Sequence, residues 1–128
     1  MVKVFLVGIG GFIGASSRYL ITIVMSRFIS STFPYGTLLC NIIGAFLIGI
    51  FMAISSTYSS TYNWMSDEVT LFLTTGILGG LTTFSTFSYE TISLFETGKY
   101  VMASVNLFGS IILCLGFAAI GRWMVSLF

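Results

Sequence analysis

Four long apolar segments, separated by short polar stretches, organise the chain. They begin near Val4, Tyr35, Val69 and Val101 and extend to about Met25, Ser55, Glu90 and Trp123. A helix needs roughly 20 apolar residues to cross the hydrocarbon core of a bilayer. The pattern therefore predicts an all-α membrane protein with four transmembrane helices in a lipid bilayer, in which residues 1–128 form a single domain.

The composition agrees with a membrane protein and excludes several functions. The chain is 56% hydrophobic and only 7% charged, against about 25% charged residues in soluble domains. It has no histidine and a net charge of +1, which excludes a histidine-ligated zinc site and a Ser-His-Asp triad. A nucleic-acid partner is not expected, since phosphate binding needs clustered Lys and Arg. Cys40 and Cys114 lie in apolar runs and are predicted to be buried thiols.

The basic residues give almost no orientation signal. The membrane side that holds the N-terminus, side A, carries Lys3 and Arg122, and the opposite side B carries Arg27 and Lys99. Orientation follows the Lys and Arg count of short flanking segments, so such a chain can insert both ways and pair as an antiparallel dimer. The alternative is that Arg18, inside the first segment, fixes one orientation.

Polar side chains inside the predicted spans concentrate in the half near side B. Arg18 lies about 13 Å from its helix end, and Asn41, Glu90 and Asn106 lie about 9 Å from theirs, with Ser110 one turn deeper. Intramembrane polar residues are costly and mark functional sites. We therefore expect a water-accessible vestibule that opens to side B and contains Arg18 and Glu90.

Two interpretations stay open for these groups. Arg18 and Glu90 lie at similar depth and are predicted to form an ion pair, with direct contact to a transported ion as the alternative. Asn41 and Asn106 either line a pore or hold helices together, as amides do in membranes for about 1 kcal/mol or less.

Small residues recur at a spacing of four in three segments. The pairs are Gly10 with Gly14, Ala45 with Gly49, and Gly76 with Gly80. This spacing lets membrane helices approach one another closely, so helix packing is the expected role of all three pairs.

The third segment contains the sequence GGLTTFSTFSYE, from Gly79 to Glu90. Gly79 lies about 15 Å into the segment, near the bilayer midplane. Paired glycines followed by Leu-Thr-Thr disfavour a continuous helix, and hydroxyl groups tolerate a break by bonding freed carbonyls. We expect a third helix broken near the midplane, where bare carbonyls of two antiparallel chains would suit a small cation. A kinked but continuous helix is the alternative.

Phe84 and Phe87 are three residues apart, so they share a face of a helix, and hydroxyl residues surround them. A phenyl ring is positive at its edge. Ring edges beside hydroxyl and amide donors suit a small, strongly hydrated anion, which a fixed Lys or Arg would bind too tightly to release.

These motifs resemble those of the Fluc (CrcB) fluoride channels. Besides GGLTTFSTFSYE, the matching stretches are GGFIGASSRYL in the first span and YGTLLCNIIGAFLIG in the second. The resemblance covers essentially the whole chain. It implies a dual-topology antiparallel homodimer with two fluoride pores and a central sodium ion, held by backbone carbonyls at the break in the third helix.

The resemblance also assigns residues. It implies that Phe84, Phe87 and Asn41 line the fluoride pore, with a hydroxyl track of Thr83, Ser85 or Thr86, and Ser110. It also implies that the carbonyls of Gly79 and Thr82 bind sodium. Arg18 matches the family's first-span arginine, and Glu90 matches the acidic residue after the third-span motif. We include Asn106 among the pore candidates because of its depth. Two positions depart from the family pattern, since many relatives carry a tyrosine at the position of Asn106 and a serine at that of Cys114.

The leading hypothesis is a passive fluoride channel in a bacterial inner membrane that reduces fluoride toxicity. A small multidrug-resistance-type transporter is the alternative, but that class needs a carboxylate in the first span, where this chain has Arg18 and no acid. A structural subunit without transport would tolerate Phe84→Ile or Asn41→Asp. An enzyme is not expected, because no nucleophile–base pair or metal cluster is evident.

Overall fold

The computed structural model describes residues 1–58 and 66–127, and within them every regular element is helical. The elements are α1 (Val2–Phe28), α2 (Tyr35–Tyr58), α3 (Asp67–Leu71), a π-helical segment (Phe72–Leu78), α4 (Gly79–Leu81), α5 (Phe84–Glu96) and α6 (Tyr100–Val125). The elements from α3 to α5 follow one another along a third span, Asp67–Glu96.

Four helical stretches in the described residues are long and apolar enough to cross a membrane. They are Val2–Phe28, Tyr35–Ser56, Asp67–Glu96 and Tyr100–Val125. The predicted all-α class with four membrane-spanning helices is therefore confirmed. Most of the polar connection between the second and third spans lies outside the described residues.

Helix α1 packs closely against the third span through the predicted glycine pairs. A Cβ atom added to Gly10 would lie 2.8 Å from the Cα atom of Gly76. A Cβ atom on Gly14 would overlap the carbonyl oxygen of Ile77, and one on Gly80 would lie 3.0 Å from a backbone nitrogen of α1. Only glycine allows this approach of two backbones, so the predicted packing role of both pairs is confirmed.

Helix α2 packs in a similar way along α6. A side chain on Gly49 would overlap the carbonyl oxygen of Ala118, and one on Gly121 would overlap that of Phe46. Gly49 belongs to the third predicted small-residue pair, and its packing role is also confirmed. The chain thus forms two closely packed helix pairs, α1 with the third span and α2 with α6.

A small apolar cluster lies where α2 meets the third span. Cys40 is fully buried there with Leu78 and Leu81. The predicted burial of this thiol is confirmed. Cys114, by contrast, is only half-buried, because its position on α6 borders a cavity.

The third span leaves helical geometry at Thr82 and Thr83. Thr82 has φ −81° and ψ 154°, and Thr83 has φ −153° and ψ 118°, both in the extended region. Gly79 and Gly80, where the sequence placed the weakest point, have helical geometry in α4. The π-helical segment that precedes α4 was not anticipated from the sequence. A new helix, α5, begins at Phe84, and the Thr83 side chain accepts a hydrogen bond at its N-terminus.

The ends of the helices match the alternating topology read from the sequence. The Lys3 ammonium lies 3.5 Å from the Asp67 carboxylate, which joins the start of α1 to the start of α3. The N-terminus and the beginning of the third span therefore lie at the same end of the protomer, the end assigned to side A.

Candidate functional site

The extended segment at Thr83 is held by Asn41 from helix α2. The Thr83 amide N–H donates to Asn41 Oδ1 at 2.8 Å, and Asn41 Nδ2 donates to the Thr83 carbonyl oxygen at 3.2 Å. The side-chain amide thus bonds both backbone groups of one residue, as a neighbouring strand would. A side-chain amide nitrogen carries two hydrogens, so one N–H of Asn41 remains for another acceptor.

A cluster of hydroxyl groups follows at the start of α5. Thr83 Oγ1 lies 3.0 Å from Thr86 Oγ1 and 3.3 Å from Ser85 Oγ. The same Thr83 oxygen accepts a hydrogen bond from the Thr86 amide at 3.2 Å. The structure therefore brings three candidates of the predicted hydroxyl track together, with Thr83 buried and Ser85 and Thr86 exposed.

A cavity of about 300 Å³, here called the central cavity, opens at the same place. Its lining includes Asn41, Gly79, Thr82, Thr83, Phe84 and Cys114. Candidate anion-binding and cation-binding residues therefore border one space. None of the lining residues is charged, but Arg18 Nη1 lies 3.5 Å from the carbonyl oxygen of one of them, Thr82. An ion in this cavity would meet amide, hydroxyl and carbonyl dipoles and an aromatic ring.

Phe84 and Phe87 lie side by side but in different surroundings. Their ring centroids are 5.5 Å apart with an interplanar angle of 45°. Phe87 is 5% exposed and packs inside the protomer, whereas Phe84 is 77% exposed and projects from it. Both rings lie at the start of α5, but only Phe84 is open to a second molecule.

Arg18 and Glu90 do not form the predicted ion pair. Arg18 Nη1 lies 3.5 Å from the Thr82 carbonyl oxygen, and Glu90 Oε1 accepts a hydrogen bond from Thr37 Oγ1 at 2.9 Å. Among the described residues, the salt bridge of the protomer joins Lys3 and Asp67. The prediction was wrong because similar depth along two helices does not determine which faces meet, and each group has a nearer polar partner.

A second cavity, of about 410 Å³, lies at the end of the protomer assigned to side B. We call it the outer cavity. It lies between the C-terminal end of α1, the N-terminal end of α2 and the C-terminal end of α5, and its lining includes Thr37, Glu90 and Lys99. Glu90 therefore lies where the vestibule was expected, whereas Arg18 is not part of this lining.

Asn106 and Ser110 of α6 lie in a buried hydrogen-bond chain. Ser110 Oγ donates to Asn106 Oδ1 at 3.4 Å, and Asn106 Nδ2 donates to Thr91 Oγ1 at 2.8 Å. Thr91 in turn donates to the Phe87 carbonyl oxygen at 2.7 Å. Asn106 is 2% exposed and joins α6 to α5, which is the helix-holding arrangement left open by the sequence. The pore roles of Asn106 and Ser110 stay predictions.

Two polar residues were missed by the sequence interpretation. Thr37 lies one turn before Asn41 and bonds Glu90, and Thr91 lies one turn after Phe87 and bonds Asn106. Both hydroxyls are buried. The signal that could have found them is their spacing, since each lies four residues from a candidate and therefore on the same helical face.

The carbonyl groups of Gly79 and Thr82 lack their usual helical partners. In an α-helix the N–H of residue i bonds the carbonyl of residue i−4. The N–H groups of Thr83 and Thr86, which would serve Gly79 and Thr82, donate instead to the side chains of Asn41 and Thr83. The described residues contain no group of three or more His, Cys, Asp or Glu side chains that could hold a metal. The ligands that this segment can offer a cation are backbone oxygens.

Comparison with known proteins places the chain among channel sequences. The sequence model of a family described as "CrcB-like protein, Camphor Resistance (CrcB)" matches residues 5–122. A protein of Ruminiclostridium cellulolyticum is 45% identical over 98% of this chain and 94% of the relative. Relatives from Oceanobacillus iheyensis (49% identical, 94% and 89% covered) and Methanococcus vannielii (41% identical, 100% and 99% covered) are similar. All three are named "Fluoride-specific ion channel FluC".

Proposed function

The chain belongs to the CrcB-like family, and on this premise we propose that it is a fluoride-selective ion channel. It is not an enzyme; it lets fluoride leave the cell down its electrochemical gradient and so reduces fluoride toxicity. The observation that carries the proposal is the central cavity, where Asn41, Thr83 and Phe84 border one space whose lining contains no charged residue.

The central cavity presents hydrogen-bond donors to an anion, and its lining contains no charged residue. One N–H of Asn41 is left after its bond to the Thr83 carbonyl. Beside the cavity, at the start of α5, Thr86 Oγ1 accepts from Thr83 Oγ1, so its own hydrogen is free to donate. Phe84 adds a phenyl ring to the lining, and the edge of such a ring is positive. Such a site binds a dehydrated fluoride ion strongly enough to admit it and weakly enough to release it.

Ion entry and selectivity follow from the two cavities. Fluoride enters the outer cavity, sheds water, and passes along the α5 hydroxyl groups to the phenylalanines. Phe84, Phe87, Asn41, Thr83, Ser85 and Thr86 form this route, with Ser110 and Asn106 on the α6 side. A narrow, densely donating path favours the smallest halide, because larger anions cannot replace their hydration with the same contacts.

We further propose an antiparallel homodimer with two pores and a third helix that is broken at the membrane midplane. Two observations support the dimer. Gly79, Phe84, Ser85 and Thr86 are exposed on the single protomer although they lie within a membrane span. Polar groups at that depth need cover by protein or water rather than lipid. The even distribution of basic residues supports insertion in both orientations.

A sodium ion fits the dimer interface as proposed for Gly79 and Thr82. Both carbonyl groups lose their helical N–H partners to side chains, and the Thr82 oxygen accepts a hydrogen bond from Arg18 instead. Gly79 is exposed on the face expected to meet the second copy. Hard cations prefer oxygen ligands of this kind. A bound sodium ion would supply a fixed positive charge that holds the two interrupted helices together.

The cell inner membrane is the proposed location, with the chain crossing it several times.

Ion efflux from liposomes tests the channel proposal. Purified protein is reconstituted in vesicles loaded with fluoride and chloride, and both ions are followed with selective electrodes without a proton gradient. We expect rapid loss of fluoride and retention of chloride, and no loss of either ion from protein-free vesicles. Retention of fluoride by vesicles that contain folded dimers would contradict the proposal.

A further inference from the structure

Asn41 makes a backbone contact that is separate from its proposed contact with fluoride. In a continuous helix the Thr83 N–H would bond the Gly79 carbonyl oxygen. It donates instead to Asn41 Oδ1 at 2.8 Å. Because each N–H has one hydrogen to give, the bond to Asn41 is what leaves the Gly79 carbonyl without a partner from its own helix.

We propose that Asn41 is a positioning residue for the sodium site: by bonding both backbone groups of Thr83, it keeps the Gly79 carbonyl free to bind the cation. The inference rests on the proposed sodium site and deepens it. One pore residue then serves two ions, donating an N–H toward the anion and releasing a carbonyl toward the cation.

Helix α2 is well placed to hold the extended segment rigidly. Asn41 bonds Thr83 at two points, with the carbonyl contact at 3.2 Å beside the amide contact. Nearly one turn further along α2, Gly44 packs against the Thr82 side chain. A Cβ atom on Gly44 would overlap the Thr82 methyl group. Two consecutive threonines are therefore fixed by two positions of the same helix.

Removal of the Asn41 amide leaves the Thr83 N–H without its acceptor in a half-buried site. An unpaired buried N–H is costly, and the Gly79 carbonyl is the acceptor that a helical turn supplies. Extension of α4 then becomes favourable, because the Thr83 N–H can bond the Gly79 carbonyl. The Gly79 oxygen is then no longer available to the cation. The Thr82 carbonyl is affected less, since the loss of its Thr86 N–H partner depends on the bond between Thr86 and Thr83, and its oxygen also accepts a hydrogen bond from Arg18.

Sodium binding to purified dimers tests this role apart from transport. The thermal unfolding midpoint is followed while sodium replaces N-methylglucamine at constant ionic strength, since a ligand that binds the native state raises the midpoint. The variants are Asn41→Ala and Asn41→Leu; leucine keeps the approximate shape of asparagine without polar atoms. We expect both variants to need about tenfold more sodium to reach half of the maximal rise in the unfolding midpoint, because about one hydrogen bond is lost.

Asn106→Ala is the matched control. It also removes a buried amide that joins two helices, but this amide bonds Thr91 of α5 rather than the extended segment. We expect it to lower the midpoint at every sodium concentration and to keep the wild-type half-effect concentration. If both Asn41 variants keep that concentration as well, the inference is wrong.

A measurement on the wild type covers the case in which the Asn41 variants fail to fold. A ¹³C label at the Gly79 carbonyl should change its NMR chemical shift when sodium replaces potassium. An unchanged shift would overturn the inference. Absence of any sodium effect on the wild type would overturn both the sodium site and the role of Asn41, while fluoride efflux, measured separately, would still decide the channel proposal.

Discussion

At the scale of single residues, identical side chains have different roles because their surroundings differ. Phe84 and Phe87 are three positions apart, yet Phe84 is 77% exposed and Phe87 is 5% exposed in the protomer. Asn41 bonds an extended backbone segment, whereas Asn106 lies within a buried chain of side chains. Residue type and depth identified these candidates, but only the helix faces determine what each one contacts.

The two phenylalanines are expected to respond differently to truncation. Phe87→Ala should destabilise the protomer by about 3–5 kcal/mol, because it removes a buried ring. Phe84→Ala should leave the chain folded and reduce fluoride efflux at least about tenfold, since this exposed ring is proposed to contribute to ion passage and is not packed inside the chain. Unfolding curves in detergent and efflux from liposomes measure the two effects. Full fluoride flux and selectivity in a double Phe84/Phe87→Ala variant would contradict the pore assignment.

At the scale of helices, the hydrogen bond between Thr91 of α5 and Asn106 of α6 is expected to contribute to stability. Thr91→Val leaves an Asn106 N–H unpaired in a buried site. We expect the free energy of unfolding to fall by about 1 kcal/mol. This is toward the low end for an unsatisfied group, because hydrogen bonds in membranes are weak. Adding Asn106→Leu should recover part of this loss, since both polar partners are then absent. Unfolding free energies of the two single variants and the double variant measure the coupling; strictly additive effects would contradict it.

Close packing of α1 against the third span is sensitive to a single methyl group. Gly14→Ala places its Cβ atom against backbone atoms of Ile77 and Leu81, which cannot move aside as a flexible side chain can. We expect a loss of about 1–3 kcal/mol from overpacking. Gly8→Ala, on the same helix, meets nothing within 4 Å and should be neutral or stabilising by up to about 1 kcal/mol. Thermal unfolding midpoints compare the pair, and equal effects would refute the packing interpretation.

The sequence predicted helix positions better than side-chain partners. The lengths of the apolar segments predicted the spans, and the small-residue spacing predicted the packing role of Gly10 and Gly14, because both depend on local pattern. The geometry at Thr82 and Thr83 depends on a distant residue, Asn41, which takes the Thr83 N–H. The error for Arg18 and Glu90 has the same origin: pairing is decided by helix rotation and by nearby acceptors and donors, and neither is visible in one sequence.

At the scale of the whole molecule, orientation in the membrane depends on very few charges. Side A carries Lys3 and Arg122, and side B carries Arg27 and Lys99. The exposed ion pair between Lys3 and Asp67 contributes little to stability. Basic residues at both ends can therefore be changed to alter insertion without unfolding the protomer.

Orientation is expected to be mixed in the wild type and to shift in opposite directions in two matched variants. Lys3→Gln leaves more basic residues on side B and should favour copies with side B in the cytoplasm, whereas Lys99→Gln should favour the reverse, because basic flanking segments stay inside. C-terminal fusions to a reporter active only in the cytoplasm and to one active only outside it measure the two populations. Activity of both reporters in the wild type, with opposite shifts in the variants, is the expected result. Activity of one reporter alone in all three proteins would contradict insertion in both orientations, and with it the proposed antiparallel dimer that would bring two Gly79 carbonyls together.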